Sequence, residues 1–236
     1  MVNGSGMFSY PKLRTSAAVL LLLGVTVSFL RAAPPATVGL FNGRDLGGWY
    51  SYLEKHGRDQ DPNGNFKVEN GVIHILGQDF GYIATEKSYE NYTLTVEFKW
   101  GGKQFAPRAT GKRDSGICYH FPEGAPDKVW PKSLECQVQE TDTGDIWCID
   151  GTSVVSPNRS TIEWNQQRVY RTADFEKPHG EWNTVTVVAR GDTIEHYVNG
   201  HLVNSGTQAS VTRGRILLQS EGAEIYYRRV ELTPLP

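Results

Sequence analysis

The sequence is poor in sulfur and has no long hydrophobic run. Its 236 residues include three cysteines (Cys118, Cys136 and Cys148) and two methionines. Three cysteines are too few for a disulfide framework. They read either as three buried thiols or as one bridge with one thiol left over. There is no Cys-x-x-Cys pair and no His-Glu-x-x-His, so the strong zinc signatures are missing. There is no basic block, and the formal net charge is −2. That balance argues against a nucleic-acid partner. No segment keeps helical period over three turns, and no internal repeat is present.

The longest apolar run, Ala17–Leu30, falls short of the ~20 residues of a membrane-spanning helix. Lys12 and Arg14 precede it and "RAAPPA" follows. Basic, then apolar, then small residues describe a secretory signal peptide over residues 1–33, cut between roughly Ala32 and Ala36. No cysteine follows the run, which argues against a lipoprotein anchor. The expectation is a secreted or periplasmic protein with no stable membrane insertion after cleavage. Residues 38–236 then form one domain of ordinary size.

What is present is strand signal. "YTLTVEFKW" alternates, with Leu94, Val96, Phe98 and Trp100 on one face. Asn70-Gly71 and Asn199-Gly200 each join two β-prone runs, the strongest two-residue hairpin signal. "SGICYHF", "SLECQVQE", "GDIWCIDG", "WNTVTVVARG" and "GRILLQS" add further short strands, while residues 152–180 read as a polar, loop-like stretch. With 25 Gly and 12 Pro as punctuation, the fold class is all-β, a two-sheet antiparallel β-sandwich or jelly roll.

"LECQVQE" has an unusual polarity. Glu135, Gln137 and Gln139 share one face, and Leu134, Cys136 and Val138 the other. In a two-sheet sandwich the second set packs inward and the first faces out. The outer row reads as a solvated face or as the floor of a cleft. Glutamine and tryptophan together suit a sugar, since amides pair with hydroxyls and flat rings pack on C–H faces.

Several stretches resemble a known family. "GLFNGRDLGGWY" resembles its opening motif. "RDSGICYHF", "VWPKSLECQVQE" and "TGDIWCIDG" resemble its three consecutive core motifs, and "LLQSEGAEIYYRRVEL" its closing strands. The family is the 3-keto-disaccharide hydrolase domain family, and the likeness spans nearly all of the chain from Val38. The resemblance implies a concanavalin A-like lectin/glucanase jelly roll with carbohydrate on the concave sheet. It implies cleavage of disaccharides whose C3 hydroxyl is oxidised to a ketone, in an exported bacterial protein. This chain departs from the family pattern at Asp114, where Asn is usual, and at His120, where many members carry Arg.

A C3 ketone acidifies the C2 hydrogen, so such a site needs a base near C2, an acid at the glycosidic oxygen and a donor or cation at the C3 oxygen. A divalent metal also fills the last role. Glu135 is the expected acid or base, and His120, read as sharing a face with Asp114, is the expected partner base or metal ligand. Lys132 and Arg113 are candidates to hold the enolate oxygen or a hydroxyl. Gln137 is expected to bind substrate, because an amide carries no proton at neutral pH. Asp114, Asp145, Gln219, Glu221 and Glu97 are placed around the same cleft. Trp130 and Trp147 suit sugar platforms or core packing, while Trp49, Trp100 and Trp182 read as core. Two other functions fit the pattern. One is a glycan-binding module without turnover. The other is a laminarinase-type retaining hydrolase, since Glu135-x-Gln137-x-x-Glu140 approaches its Glu-x-Asp-x-x-Glu motif.

Overall fold

The computed structural model describes residues 1–4, 6, 7, 9 and 36–236. The predicted apolar run and most of the cleavage stretch lie outside these residues. Among the described residues no helix occurs, and the chain forms seventeen strands. They are β1 (Val38–Gly39), β2 (Trp49–Leu53), β3 (Gly57–Arg58), β4 (Phe66–Glu69), β5 (Val72–Ile75) and β6 (Gly81–Thr85). The long β7 (Tyr92–Gln104) is followed by β8 (Asp114–Phe121), β9 (Ser133–Gln139), β10 (Ile146–Ile149), β11 (Ser160–Glu163) and β12 (Gln166–Val169). The last five are β13 (Asn183–Arg190), β14 (Thr193–Val198), β15 (His201–Gly206), β16 (Arg215–Ser220) and β17 (Ala223–Pro234).

Two antiparallel sheets result. One runs β15-β14-β13-β7-β17-β5-β4, with β1 beside β17; the other runs β11-β12-β10-β9-β8-β16-β6-β2-β3. The alternation of β7 decides its burial. Leu94, Val96, Phe98 and Trp100 enter a single core with Ile117, Leu134, Cys136, Val138 and Ile146 of the second sheet. Burying a large apolar side chain contributes roughly 1.5–3 kcal/mol, so the two inner faces hold the sandwich together. Both Asn-Gly pairs close hairpins. Asn70 and Gly71 have φ of 50° and 77°, Asn199 and Gly200 50° and 85°, which is what a type I′ turn requires.

The loop-like reading of residues 152–180 needs correction. A further hairpin, β11–β12, lies there, pairing Glu163 with Gln166 across a Trp164-Asn165 turn. Both turn residues have positive φ, 49° and 63°. A tryptophan in that position gives no turn signal from the sequence. The hairpin extends the second sheet through β12–β10 pairing.

The outer face of the second sheet is not simply solvated. Tyr50, Tyr82, Ala84, Cys118, Phe121, Trp147, Ile149 and Leu217 form a second apolar cluster there. It supports one edge of the cleft described next. All three cysteines are free and buried. Cys118 lies in this outer cluster and Cys136 and Cys148 in the main core.

Candidate active site in the cleft of the second sheet

The polar row of β9 is a cleft floor. Glu135, Gln137 and Gln139 line a cavity of about 570 Å³ on the outer face of the second sheet, joined by Asp114, Trp130, Trp147, Trp164, Arg168 and Glu221. Cys136 and Val138 point between the sheets, as the period of two demands.

Glycine makes room for the floor. A Cβ on Gly116 would stand 2.0 Å from Oε1 of Glu135 and 2.0 Å from Oε1 of Gln219. The two side chains therefore lean together over the bare backbone of β8. Glu135 is 5% exposed and Gln219 fully buried, and neither amide atom of Gln219 has a partner among the described residues.

Three carboxylates crowd around one cation. Arg108 Nη2 lies 2.5 Å from Asp114 Oδ2 and 3.3 Å from Glu221 Oε2. Gln139 Nε2 donates to Asp114 Oδ2 at 2.6 Å. The Trp130 indole N–H donates to Glu221 Oε1. Burial pushes the Glu135 carboxyl well above the ordinary range, and the charges of Glu221 and Asp114 push it further; Arg108 opposes them. Burial and Glu221 likewise raise Asp114, against the pull of Arg108 and Gln139. Burial raises Glu221, against the pull of Arg108 and Trp130. Like charges beside a buried carboxylate with no cation in contact favour its protonated form, and of the three carboxylates that describes Glu135.

The far end of the cleft is aromatic. Trp147 on β10 is the cross-strand partner of Glu135. The Trp164 ring, at the tip of the β11–β12 hairpin, stacks on it with centroids 5.7 Å apart and planes 13° apart. Arg168 on β12 sits 5.2 Å from the Trp147 centroid. Near Glu221, Phe80 meets Trp130 edge to face at 6.4 Å.

The sequence candidates divide sharply. Glu135, Gln137, Asp114, Trp130, Trp147 and Glu221 meet in the cleft, and Gln219 lies beneath it. His120 does not reach it. Its φ of 60° breaks the alternation of β8, and the register against β16 shifts at Arg215–Leu217. Such a bulge turns every later side chain to the other face. Phe121 takes the outer position, while His120 packs edge-on against Tyr92 and Tyr119 in the interior. Its Nδ1 pairs with the Val211 carbonyl at 3.1 Å.

Lys132 is exposed beside the cleft rather than in it. Arg113 is bound to Glu140 at 2.9 Å, so neither lines the cavity. That pairing also removes Glu140 from the floor, leaving the laminarinase-like spacing with one carboxylate in place. Asp145 stands behind the wall, holding Arg168 at 2.6 Å and accepting the Arg171 backbone N–H at 2.8 Å. Glu97 belongs to the other sheet, where it pairs with Arg228 at 2.5 Å. Trp182 is not core either; it lies half-buried under Arg228 on that opposite surface.

The sequence reading missed Arg108, Phe80, Gln166, Arg168 and Trp164. Arg108 sits in the loop after β7, where Gln104 Nε2 donates to the Arg108 carbonyl at 2.9 Å. The Phe105 N–H donates to the Gly222 carbonyl at 2.8 Å, which sets that loop against the segment carrying Glu221. Nothing local in "FAPRATGKR" marks this arginine out from Arg113. Among the described residues no three His, Cys, Asp or Glu side chains are grouped as a metal site requires.

Residues 36–233 match the family described as the 3-keto-alpha-glucoside-1,2-lyase-like domain. The chain belongs to that family. No curated protein matches the sequence. Solved structures share the fold of this lyase-like domain at low identity. A Parabacteroides distasonis protein described as a candidate glycosyl hydrolase is 24% identical, with TM-score 0.58 over 85% of this chain and 94% of its own. The carbohydrate-binding module CBM66 of Bacillus subtilis is 13% identical, with TM-score 0.54 over 78% and 94%. The Bacillus licheniformis β-glucanase is 13% identical, with TM-score 0.52 over 87% and 100%. These likenesses establish the concanavalin A-like jelly roll.

Proposed function

We propose that this lyase-like domain is an exported enzyme that cleaves 3-keto-glucosides by elimination, with Glu135 as general acid and Glu221 as general base. The observation that carries the reading is the grouping of Glu135, Asp114 and Glu221 around Arg108 in one buried, aromatic-walled cleft. Buried titratable groups pushed away from their ordinary values in a cleft mark functional sites.

Glu221 takes the proton from C2, and the C–H electron pair delocalises into the C3 ketone as an enolate. Arg108, in contact with Glu221, offers donors to the enolate oxygen. The enolate collapses, a C1–C2 double bond forms, and the C1–O bond breaks. Glu135 gives its proton to the departing oxygen. The products are an unsaturated 3-keto sugar and the free alcohol; water adds across the new double bond to complete a net hydrolysis. Glu221 ends protonated and Glu135 ionised, and one proton passed between them restores the site.

The test is release of alcohol from a 3-keto-α-glucoside by the purified protein. Loss of release in Glu135→Gln with an intact fold supports the reading; undiminished release refutes it. The exposed Trp164 ring, stacked on the buried Trp147, favours a second reading, a glycan-binding module without turnover. Tight binding of plain glycans with no cleavage of any oxidised glycoside would select it.

A further inference from the structure

We propose that the Trp147–Trp164 wall is a stacking subsite for the leaving group that reads a flat ring face, aromatic aglycones included, rather than a sugar's hydroxyl pattern. This rests on the cleft assignment above and extends its substrate class beyond disaccharides.

The strand order supplies the direction. Across the second sheet the cleft residues fall in the sequence β12, β10, β9, β8, β16. Asp114, Gln219 and Glu221 lie on the β8–β16 side of Glu135, and the two tryptophans on the β10–β12 side. The reacting ring belongs over the charged side, where its C2 hydrogen and C3 oxygen meet Glu221 and Arg108. The bond from C1 then points past Glu135 toward Trp147, its cross-strand partner.

The wall itself is nearly pure face. Trp164 is 83% exposed yet held parallel to Trp147. An exposed indole is not required by the core, and its type I′ turn position costs backbone strain that a glycine would avoid. The polar group beside it is already engaged. Arg168 donates from Nε to Asp145 at 2.7 Å, and its Nη atoms pair with Asp145, Asp142 and Glu163 at 2.6, 3.4 and 3.4 Å. That leaves the Gln166 amide to read hydroxyls. The exposed Trp164 face, held parallel to Trp147 by stacking, favours a ligand with a flat apolar face, either the C–H face of a pyranose or an aryl ring.

The test uses equilibrium calorimetry on the full protein with methyl α-glucoside, phenyl α-glucoside and maltose, so it needs no turnover. Phenyl α-glucoside and maltose should both bind about tenfold more tightly than the methyl glycoside. Trp164→Ala should collapse that preference, and Trp164→Phe should keep most of it. Maltose preferred without phenyl α-glucoside would overturn the proposal, because hydroxyls would then be what the wall reads. A preference unchanged in Trp164→Ala, or none in the native protein, would overturn it too. A Trp164-dependent ring preference without cleavage of any 3-keto-glucoside would refute the enzymatic reading and leave the subsite standing. Cleavage without ring preference would do the reverse.

Discussion

Glu135 and Gln219 come from different strands and meet over the same missing side chain, each with Oε1 2.0 Å from where a Gly116 Cβ would stand. Three strands, β9, β16 and β8, thus cooperate to place one carboxyl. The glycine is needed for space, not for its dihedral angles, since its φ is not positive.

Gly116→Ala is therefore expected to displace the two side chains while the backbone of β8 accepts the alanine. Overpacking of this kind costs about 1–3 kcal/mol. Turnover should fall by more than tenfold in protein that still melts cooperatively. Steady-state kinetics beside a thermal melt checks this; unchanged turnover would show that the Glu135 position is not critical.

Glu135→Gln should raise stability at neutral pH. The folded protein holds the Glu135 carboxyl above its ordinary value of 4.5. Its contribution is then full below about pH 4.5 and is lost as pH rises through the folded value. The amide has no such loss. Denaturant melts at pH 4 and pH 8 should show the variant gaining over the native protein only at the higher pH.

The buried histidines act in the opposite direction. Burial lowers both His120 and His196 from 6.5 to about 4. The neutral rings support the fold above pH 6.5, and that support is lost as pH falls through about 4. At 1.36 kcal/mol per pKa unit the loss is roughly 3 kcal/mol for each. His120→Gln should cost about 1–3 kcal/mol at pH 7, weaken the acid sensitivity, and leave kcat/KM of the folded protein within about threefold. A loss of catalysis with full stability would return His120 to the chemistry.

Export is checked by mass. The mature protein should begin between roughly Ala32 and Ala36. Intact-mass analysis of the protein recovered from its native host decides it, and the full 236-residue chain in the soluble cytoplasm would count against export.

Much of this architecture was legible in residue alternation. The inward face of β7 and the split of β9 into inner and outer faces follow from the period of two, and both Asn-Gly hairpins from turn chemistry; that the outer face of β9 floors a cleft does not. His120 was misplaced because that same period assumes an unbroken strand, and a single left-handed residue defeats it. Glu97 was misplaced for another reason: parity gives the face of a sheet, not which sheet. Arg108 and Trp164 were missed because loops bring them to the cleft through tertiary contacts with Gly222 and Trp147. Their own neighbours in sequence carry no periodic signal.

The central claim is that the C2–H bond breaks in the same turnover that frees the leaving group. The direct measurement follows a 3-keto-α-glucoside deuterated at C2 by NMR at early times, against an enzyme-free control for spontaneous exchange. The account predicts that each alcohol released is matched by one deuterium lost from C2. It also predicts slower release from the deuterated substrate, and a further fall of about 10²–10⁴-fold in Glu135→Gln. Release that leaves the C2 deuterium in the product would contradict elimination, whatever the effect of the variant.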